Sequence, residues 1–166
     1  MDTDDSSARN ERGLDTIERR ILRVLQADGR ISKLKLAEEV HLSATAVLER
    51  FKRLKRLTRE NYILGYEARL NPLQLGAGMR VFIEILLDRT VHDVMDSFKA
   101  AVQVRPEILE ANRVAVGFDC LLKTRVADMA ADREFIGSVI WTLPGLRETR
   151  TCAVMEDLKH STLLAV

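Results

Sequence analysis

The sequence predicts an α+β fold, with an N-terminal winged helix-turn-helix and a C-terminal ferredoxin-like domain of order βαββαβ. Apolar residues recur at helical spacing through most of the first half, whereas the second half alternates strand and helix periodicities. Asn71-Pro72 and two following glycines mark a break between the halves. The expected parts are a disordered tail, a helix-turn-helix domain, a linker strand with hinge, and a ferredoxin-like domain, over residues 1–13, 14–66, 67–78 and 79–166 respectively.

Three helices are predicted in the first half. Asp15 and Glu18 have the three-residue spacing of a capping box, so the first helix begins after Asp15. Ser32 caps a short second helix, His41 lies in the tight turn that follows, and Ser43 caps a third helix. Two helices joined by such a turn form a helix-turn-helix.

The third helix is apolar on one side and polar, largely basic, on the other. Residues 50–59 contain six basic residues and no acid. A helix of this kind fits the major groove of double-stranded DNA, where arginines reach base edges and phosphates. The alternative is a solvated basic face on an ordinary helical hairpin. The predicted DNA contacts are Ser43, Ala44, Thr45, Ala46, Glu49, Arg50, Lys52, Arg53, Arg56 and Arg59.

After the third helix, residues 62–66 resemble a small β-hairpin, and residues 67–70 resemble a strand that leaves it. This pair predicts the wing of a winged helix. The order of helices and wing is typical of a DNA-binding domain.

The second half contains four strands and two helices in the order β-α-β-β-α-β, which is ferredoxin-like. Thr90 and Asp128 are the predicted helix caps. Two helices cover only one face of a four-stranded sheet, and Phe82 and Leu86 on the other face need a cover too. This predicts a homodimer or a larger assembly. The predicted strands are Met79–Leu87, Ile108–Val116, Cys120–Val126 and Leu146–Met155.

Composition excludes several classes of protein. Two separated cysteines, Cys120 and Cys152, form no disulfide framework, and no segment is long and apolar enough for a membrane span or signal peptide, so a soluble cytoplasmic protein is expected. There is no Gly-rich phosphate loop, no paired nucleophile and base, and no metal-ligand spacing, so we expect neither an enzyme nor a cofactor.

RNA binding through the sheet would need aromatic residues that Cys120–Val126 lacks. The cysteines leave two hypotheses open, a redox sensor or small buried hydrophobes.

Short motifs across both halves resemble the Lrp/AsnC, or feast/famine, family of transcriptional regulators. The resemblance spans residues 14–166, and its specificity comes from many short matches in the right order. Its motifs are Leu14–Leu25, Asp28–Ser32, Leu48-Glu49-Arg50, Arg53-Leu54, Gly65-Tyr66, Leu70–Pro72, Phe118-Asp119, Leu121–Val126, Leu143–Gly145 and Thr149–Thr151.

The resemblance implies a DNA-binding regulator of amino-acid metabolism, located in the cytoplasm with the nucleoid. Its subunits would pair sheet to sheet, with dimers that often close into octamers, and an amino acid or related small molecule would bind between subunits. The alternative is a ligand-independent, DNA-organising architectural protein. The effector positions that the resemblance implies are Gly117, Phe118, Asp119, Met129, Cys152, Ala153 and Val154.

The chain departs from the family pattern at several positions. His41 stands where a glycine is common, and histidine tolerates a left-handed backbone better than most residues. Residues 57–59 look like an insertion after the third helix. Cys120 and Cys152 stand where tyrosines are found, which would enlarge the effector pocket or change what it accepts. Asp119 has two interpretations, a ligand for the effector's amino group or the cap of a turn.

Overall fold

The described residues of the computed structural model form two compact units. One comprises the described part of Met1–Ala68 together with His160–Val166, and the other is Arg69–Lys159. Residues 160–166 therefore pack with the first unit, whereas the sequence placed them in the second domain. The structure describes residues 14–41, 55–88, 90 and 92–166.

The first unit contains α1 (Thr16–Ala27), α2 (Lys33–Glu39) and helical residues 55–59. The predicted capping box of α1 is confirmed: the Asp15 carboxylate accepts from the Glu18 amide at 2.7 Å, and Glu18 accepts from the Asp15 amide at 2.9 Å. Ser32 caps α2 as predicted. The buried apolar residues described in this unit are Ile21, Leu22, Leu36, Ala37, Val40 and Leu57.

The connections of the first unit follow backbone conformation. His41 has a φ of 54°, which is the left-handed conformation expected at this turn. The predicted wing is wrong, because residues 63–70 form no strand. The amides of Tyr62 and Ile63 instead donate to the Leu57 carbonyl at 2.8 and 3.3 Å, so the chain folds back on the helix end before any strand ladder can begin.

The second unit is a four-stranded antiparallel sheet with helices on one face. The strand order β2-β3-β1-β4 confirms the ferredoxin-like prediction. Its elements are β1 (Met79–Leu87), α3 (Val94–Gln103), β2 (Ile108–Arg113), β3 (Cys120–Val126), α4 (Met129–Ser138), a 3₁₀ helix (Ile140–Thr142) and β4 (Leu146–Ala153).

The alternation along β1 separates the two faces of the sheet. Its odd-numbered residues Val81–Leu87 are buried with Phe98 of α3 and Phe135 of α4. Phe82 and Leu86 lie on the opposite face, which we call the open face, and are only partly buried. The hydrophobic core is therefore confined to the helix-covered side.

Some local predictions for this unit need correction. The Thr90 cap is wrong: α3 begins at Val94, and both the amide and hydroxyl of Thr90 donate to Asp88 in a turn. Strand β2 ends at Arg113 rather than Val116, because the Val114 amide bonds the Asp119 carbonyl and closes the loop. Strand β4 also ends earlier than predicted, at residue 153.

Candidate DNA-binding surface and effector site

The helix-turn-helix region is described on both sides of a gap. Residues 55–59 are helical, so the segment that looks like an insertion continues the helical conformation, and Arg59 is exposed on it. Eight of the predicted DNA contacts lie outside the described residues: Ser43, Ala44, Thr45, Ala46, Glu49, Arg50, Lys52 and Arg53.

A buried carboxylate joins α1 to this helical segment. Glu18 is 3% exposed, and one of its oxygens accepts from Arg56 Nη2 at 3.0 Å while the other holds the α1 cap. Arg56 Nε also lies 3.5 Å from Glu60. The Arg56 guanidinium thus positions the helix, and its contact with DNA stays a prediction. Sequence analysis assigned Glu18 to the cap alone, although its i, i+3 spacing from the core residue Ile21 was an available signal.

The predicted effector residues 117–119 lie beside the C-terminal end of β1. Asp119 is buried, its amide donates to the Ile85 carbonyl at 2.8 Å, and its carboxylate accepts from the Leu87 amide at 2.9 Å. The strand β1 has a bulge against β4 at Leu86/Leu87. Asp119 therefore holds the loop against the end of β1, which favours its interpretation as a residue that caps a turn. An effector contact by Asp119 stays a prediction.

A small depression beside this loop opens on the end of the sheet. Its volume is about 40 Å³, which is room for about three water molecules at most. Arg150 Nε lies 3.4 Å from Glu148, so both signs of charge are present. The depression is lined by Glu84, Leu86, Gly117, Phe118, Glu148, Thr149 and Arg150.

The other predicted effector residues lie at the opposite end of the sheet. Ala153 pairs with Val81, near the start of β1, and the Val154 amide donates to the Arg80 carbonyl at 2.9 Å. Met129 begins α4, three residues after the β3 end that pairs with the start of β1. Four residues of strand separate Val81 from Ile85, about 14 Å. One chain therefore does not bring the two groups of predicted residues together.

The two cysteines have different environments. Cys120 is buried in the core on the helix-covered side, and this burial, with the nearby Asp119 charge as a lesser cause, raises the pKa of its thiol. A thiol with a raised pKa is a poor redox sensor, so Cys120 acts as a small core hydrophobe. Cys152 is exposed and lies opposite Phe82 in the β1–β4 pairing, on the open face. Of the two, only Cys152 can change a site on that face.

Groups of three or more metal-ligating side chains are absent among the described residues. No helix within the described ranges has the length and apolar character to cross a membrane. Helix α2 with the left-handed turn at His41 is compatible with the first half of a helix-turn-helix, and the second unit is a ferredoxin-like sheet with helices on one face.

Comparisons with known proteins give the family. An AsnC-type helix-turn-helix domain matches residues 14–55, and an Lrp/AsnC ligand binding domain matches residues 80–164. The chain is 48% identical over 162 residues to the leucine-responsive regulatory proteins of Salmonella typhimurium and Escherichia coli K12, covering 98% of this chain and 97% of each relative. The protein therefore belongs to the Lrp/AsnC family of transcription regulators, which confirms the resemblance in its sequence.

Solved structures support the same fold. A transcriptional regulator of Neisseria meningitidis in complex with L-Met is 30% identical, with a TM-score of 0.85 over 92% of this chain and 97% of that one. A feast or famine regulatory protein of M. tuberculosis complexed with L-methionine is 29% identical, with a TM-score of 0.78 over 92% and 99% of the two chains.

Proposed function

We propose that this protein regulates transcription of amino-acid metabolism genes, and that an amino acid bound between subunits changes its binding to DNA. The separation of the two groups of predicted effector residues carries the proposal. Residues 117–119 and residues 152–154 lie at opposite ends of β1, so a second chain is needed to bring one group against the other.

The DNA-binding half of the proposal rests on the matched helix-turn-helix. In a dimer, two recognition helices would enter successive major grooves about 34–36 Å apart. The ion pair between buried Glu18 and partly buried Arg56 supports this role, since it holds the helical residues 55–59 against α1. Arg59 is left exposed, where it can meet a phosphate.

The chemistry of the loop end suits a zwitterion. Arg150 can pair with a carboxylate, and Glu84 or Glu148 with an ammonium group. The volume of about 40 Å³ is far below the roughly 300 Å³ at which small-molecule pockets begin. A wall from a partner subunit would complete the pocket. The two regulators solved with methionine make an amino acid with an apolar side chain the first candidate.

Self-association is part of the proposal. The partly buried Phe82, Leu86 and Leu121 give the open face an apolar centre, and a second copy of the sheet would cover it. We expect such dimers to close into octamers. A DNA-binding assembly of this kind would be cytoplasmic and associated with the nucleoid.

A thermal-unfolding scan with each of the twenty amino acids, joined to DNA-binding titrations, tests the proposal. A ligand at 100 times its dissociation constant adds about 2.7 kcal/mol, which is roughly 5–10 °C for a chain of this size. The same compound should change DNA affinity. Ala153→Asp should abolish the shift, whereas Ala100→Asp, on an exposed position of α3, should keep it.

Absence of any shift, in protein that still binds DNA, would contradict the effector proposal. It would support the ligand-independent, DNA-organising alternative. A compound that shifts unfolding but leaves DNA affinity unchanged would contradict the regulatory link.

A further inference from the structure

Residues 161–166, which we call the strap, are docked on α1 of the first unit. The Gln26 side chain makes two hydrogen bonds with the backbone of Leu164: its Nε2 donates to the carbonyl at 3.1 Å, and its Oε1 accepts from the amide at 2.7 Å. This pairing satisfies both polar groups of one strap residue, as a neighbouring strand would. It fixes the position of the strap along α1.

Two further contacts extend this docking. Arg23 Nε donates to the Val166 carbonyl at 2.6 Å, and the Val166 side chain packs against the apolar cluster of the first unit. Leu164 and Val166 also line a cavity of about 430 Å³, together with residues of α1 and of the segment after the helix. The strap is therefore a component of the DNA-binding unit, although it is more than 90 residues away from it in sequence.

The chain just before the strap is anchored to β1. The Val154 amide donates to the Arg80 carbonyl at 2.9 Å, and the Asp157 carboxylate forms an ion pair with the Arg80 guanidinium. Arg80 is buried, whereas the Asp157 side chain is about half exposed, so Asp157 reaches the buried guanidinium from the surface. From Asp157 to Leu164 there are seven residues, which span at most about 25 Å when fully extended.

We propose that residues 154–166 are a tether that transmits effector binding to the DNA-binding unit. The inference rests on the proposed function for the effector. Residues 152–154 are predicted effector contacts, and the tether begins there. A ligand that moves the end of β4 moves the start of a short segment whose other end holds α1 through Gln26 and Arg23.

Through the tether, events in either unit can shift the equilibrium between the docked and the released strap. The docked strap supports α1, and α1 holds the helical residues 55–59 through the Glu18–Arg56 ion pair. An effector that favours the docked arrangement raises DNA affinity, and one that favours release lowers it.

Gln26→Ala tests the tether against a purely structural role for the strap. Removal of two hydrogen bonds should weaken docking by about tenfold or more. The amino acid found in the unfolding scan should then bind with its dissociation constant within twofold of wild type, while its effect on DNA affinity falls toward none. Gln74→Ala, an exposed glutamine in the other unit, should keep the full effect.

If Gln26→Ala lowers thermal stability or basal DNA affinity but keeps the effector's fold-change on DNA affinity, the strap is only structural and the tether is overturned. The tether is also overturned if thermal stability, basal DNA affinity and the effector's fold-change on DNA affinity all stay at their wild-type values. Wild-type protein in which no amino acid alters DNA affinity would contradict the proposed function instead.

Arg80→Met tests the tether without any effector. This change removes the anchor in the second unit, so it should lower DNA affinity severalfold and increase hydrogen exchange of α1, although Arg80 belongs to the ligand-binding unit. Arg147→Met, an exposed arginine of β4, is the control. Unchanged DNA affinity and unchanged exchange in Arg80→Met would overturn the tether.

Discussion

The two faces of the sheet use the same strands in different ways. On the helix-covered face, Val81, Ile83 and Ile85 are fully buried within a single chain. On the open face, Phe82 and Leu86 alternate with Glu84 and stay partly exposed. One face is completed by the chain's own helices, and the other is the face that a second copy would cover under the proposed function.

This difference separates folding from assembly. Substitutions on the covered face should act on the stability of each chain, whereas substitutions on the open face should act on the equilibrium between chains. The effector proposal depends on the second equilibrium, because residues 117–119 and 152–154 need a partner in order to meet.

The largest effect is expected in the covered core. Ile83→Ala should lower the free energy of unfolding by about 2–5 kcal/mol, since it removes a fully buried side chain and leaves a cavity. Denaturant unfolding measures this effect. Leu109→Ala, half exposed on the edge strand β2, should change it by less than about 0.5 kcal/mol. Equal losses in the two variants would contradict the assignment of the core.

The open face should respond in assembly instead. Leu121→Lys places an ammonium opposite Glu84 in the β1–β3 pairing, so the strand should still form. A charge buried at an interface costs about 3 kcal/mol or more, which predicts a rise of at least about 100-fold in the dimer dissociation constant. Sedimentation over a concentration series measures it. An unchanged mass for Leu121→Lys, with Leu70→Lys as control, would show that the open face is not the interface.

A smaller effect is expected where the covered core meets the effector loop. Asp119→Asn should lower the free energy of unfolding by about 1–2 kcal/mol, because the Leu87 amide loses a charged acceptor. Denaturant unfolding and effector titration on the same protein separate the two interpretations of Asp119. Unchanged stability with a large loss of effector affinity would assign Asp119 to the ligand alone.

The smallest effect concerns a buried carboxyl on α4. Burial raises the pKa of Asp132 above its ordinary 3.8, with the Arg133 charge opposing the shift, so its protonated form is favoured in the folded state. The protonated Asp132 carboxyl stabilises the folded state relative to the unfolded state. This stabilisation is fully present below about pH 3.8 and is lost as the pH rises through the raised pKa. Asp132→Asn should therefore match the stability of wild type at low pH and exceed it at neutral pH. A difference that does not vary with pH would contradict this account.

Local periodicity accounts for the parts of the fold that the sequence predicted. The bounds of β1 and β3 agree with the structure, because side chains alternate between a dry and an open face along both. The capping residues Asp15, Ser32 and Asp128 were also predicted, since each acts on amides two or three residues away.

The failures involve contacts that no local pattern records. The sequence of residues 62–70 resembled the hairpin of a wing. In the structure the Tyr62 amide instead donates to the carbonyl of Leu57 in the preceding helix. The strap contacts α1 across 138 residues between Gln26 and Leu164. The wide separation of the predicted effector residues follows from the antiparallel order β4-β1-β3 rather than from any motif. The resemblance named these candidate residues without their places in the sheet, and their contact with an effector stays a prediction.

A mixed-oligomer titration tests the central claim, that one effector site takes residues from two chains. Phe118→Ala alters the loop group and Ala153→Asp alters the β4 group, so each variant alone should lose effector binding. In dimers formed from equal amounts of both, half are mixed and each mixed dimer regains one intact site. Calorimetry should then find about one quarter of the wild-type sites, at wild-type affinity. No recovery of binding in the mixture would contradict a site shared between subunits.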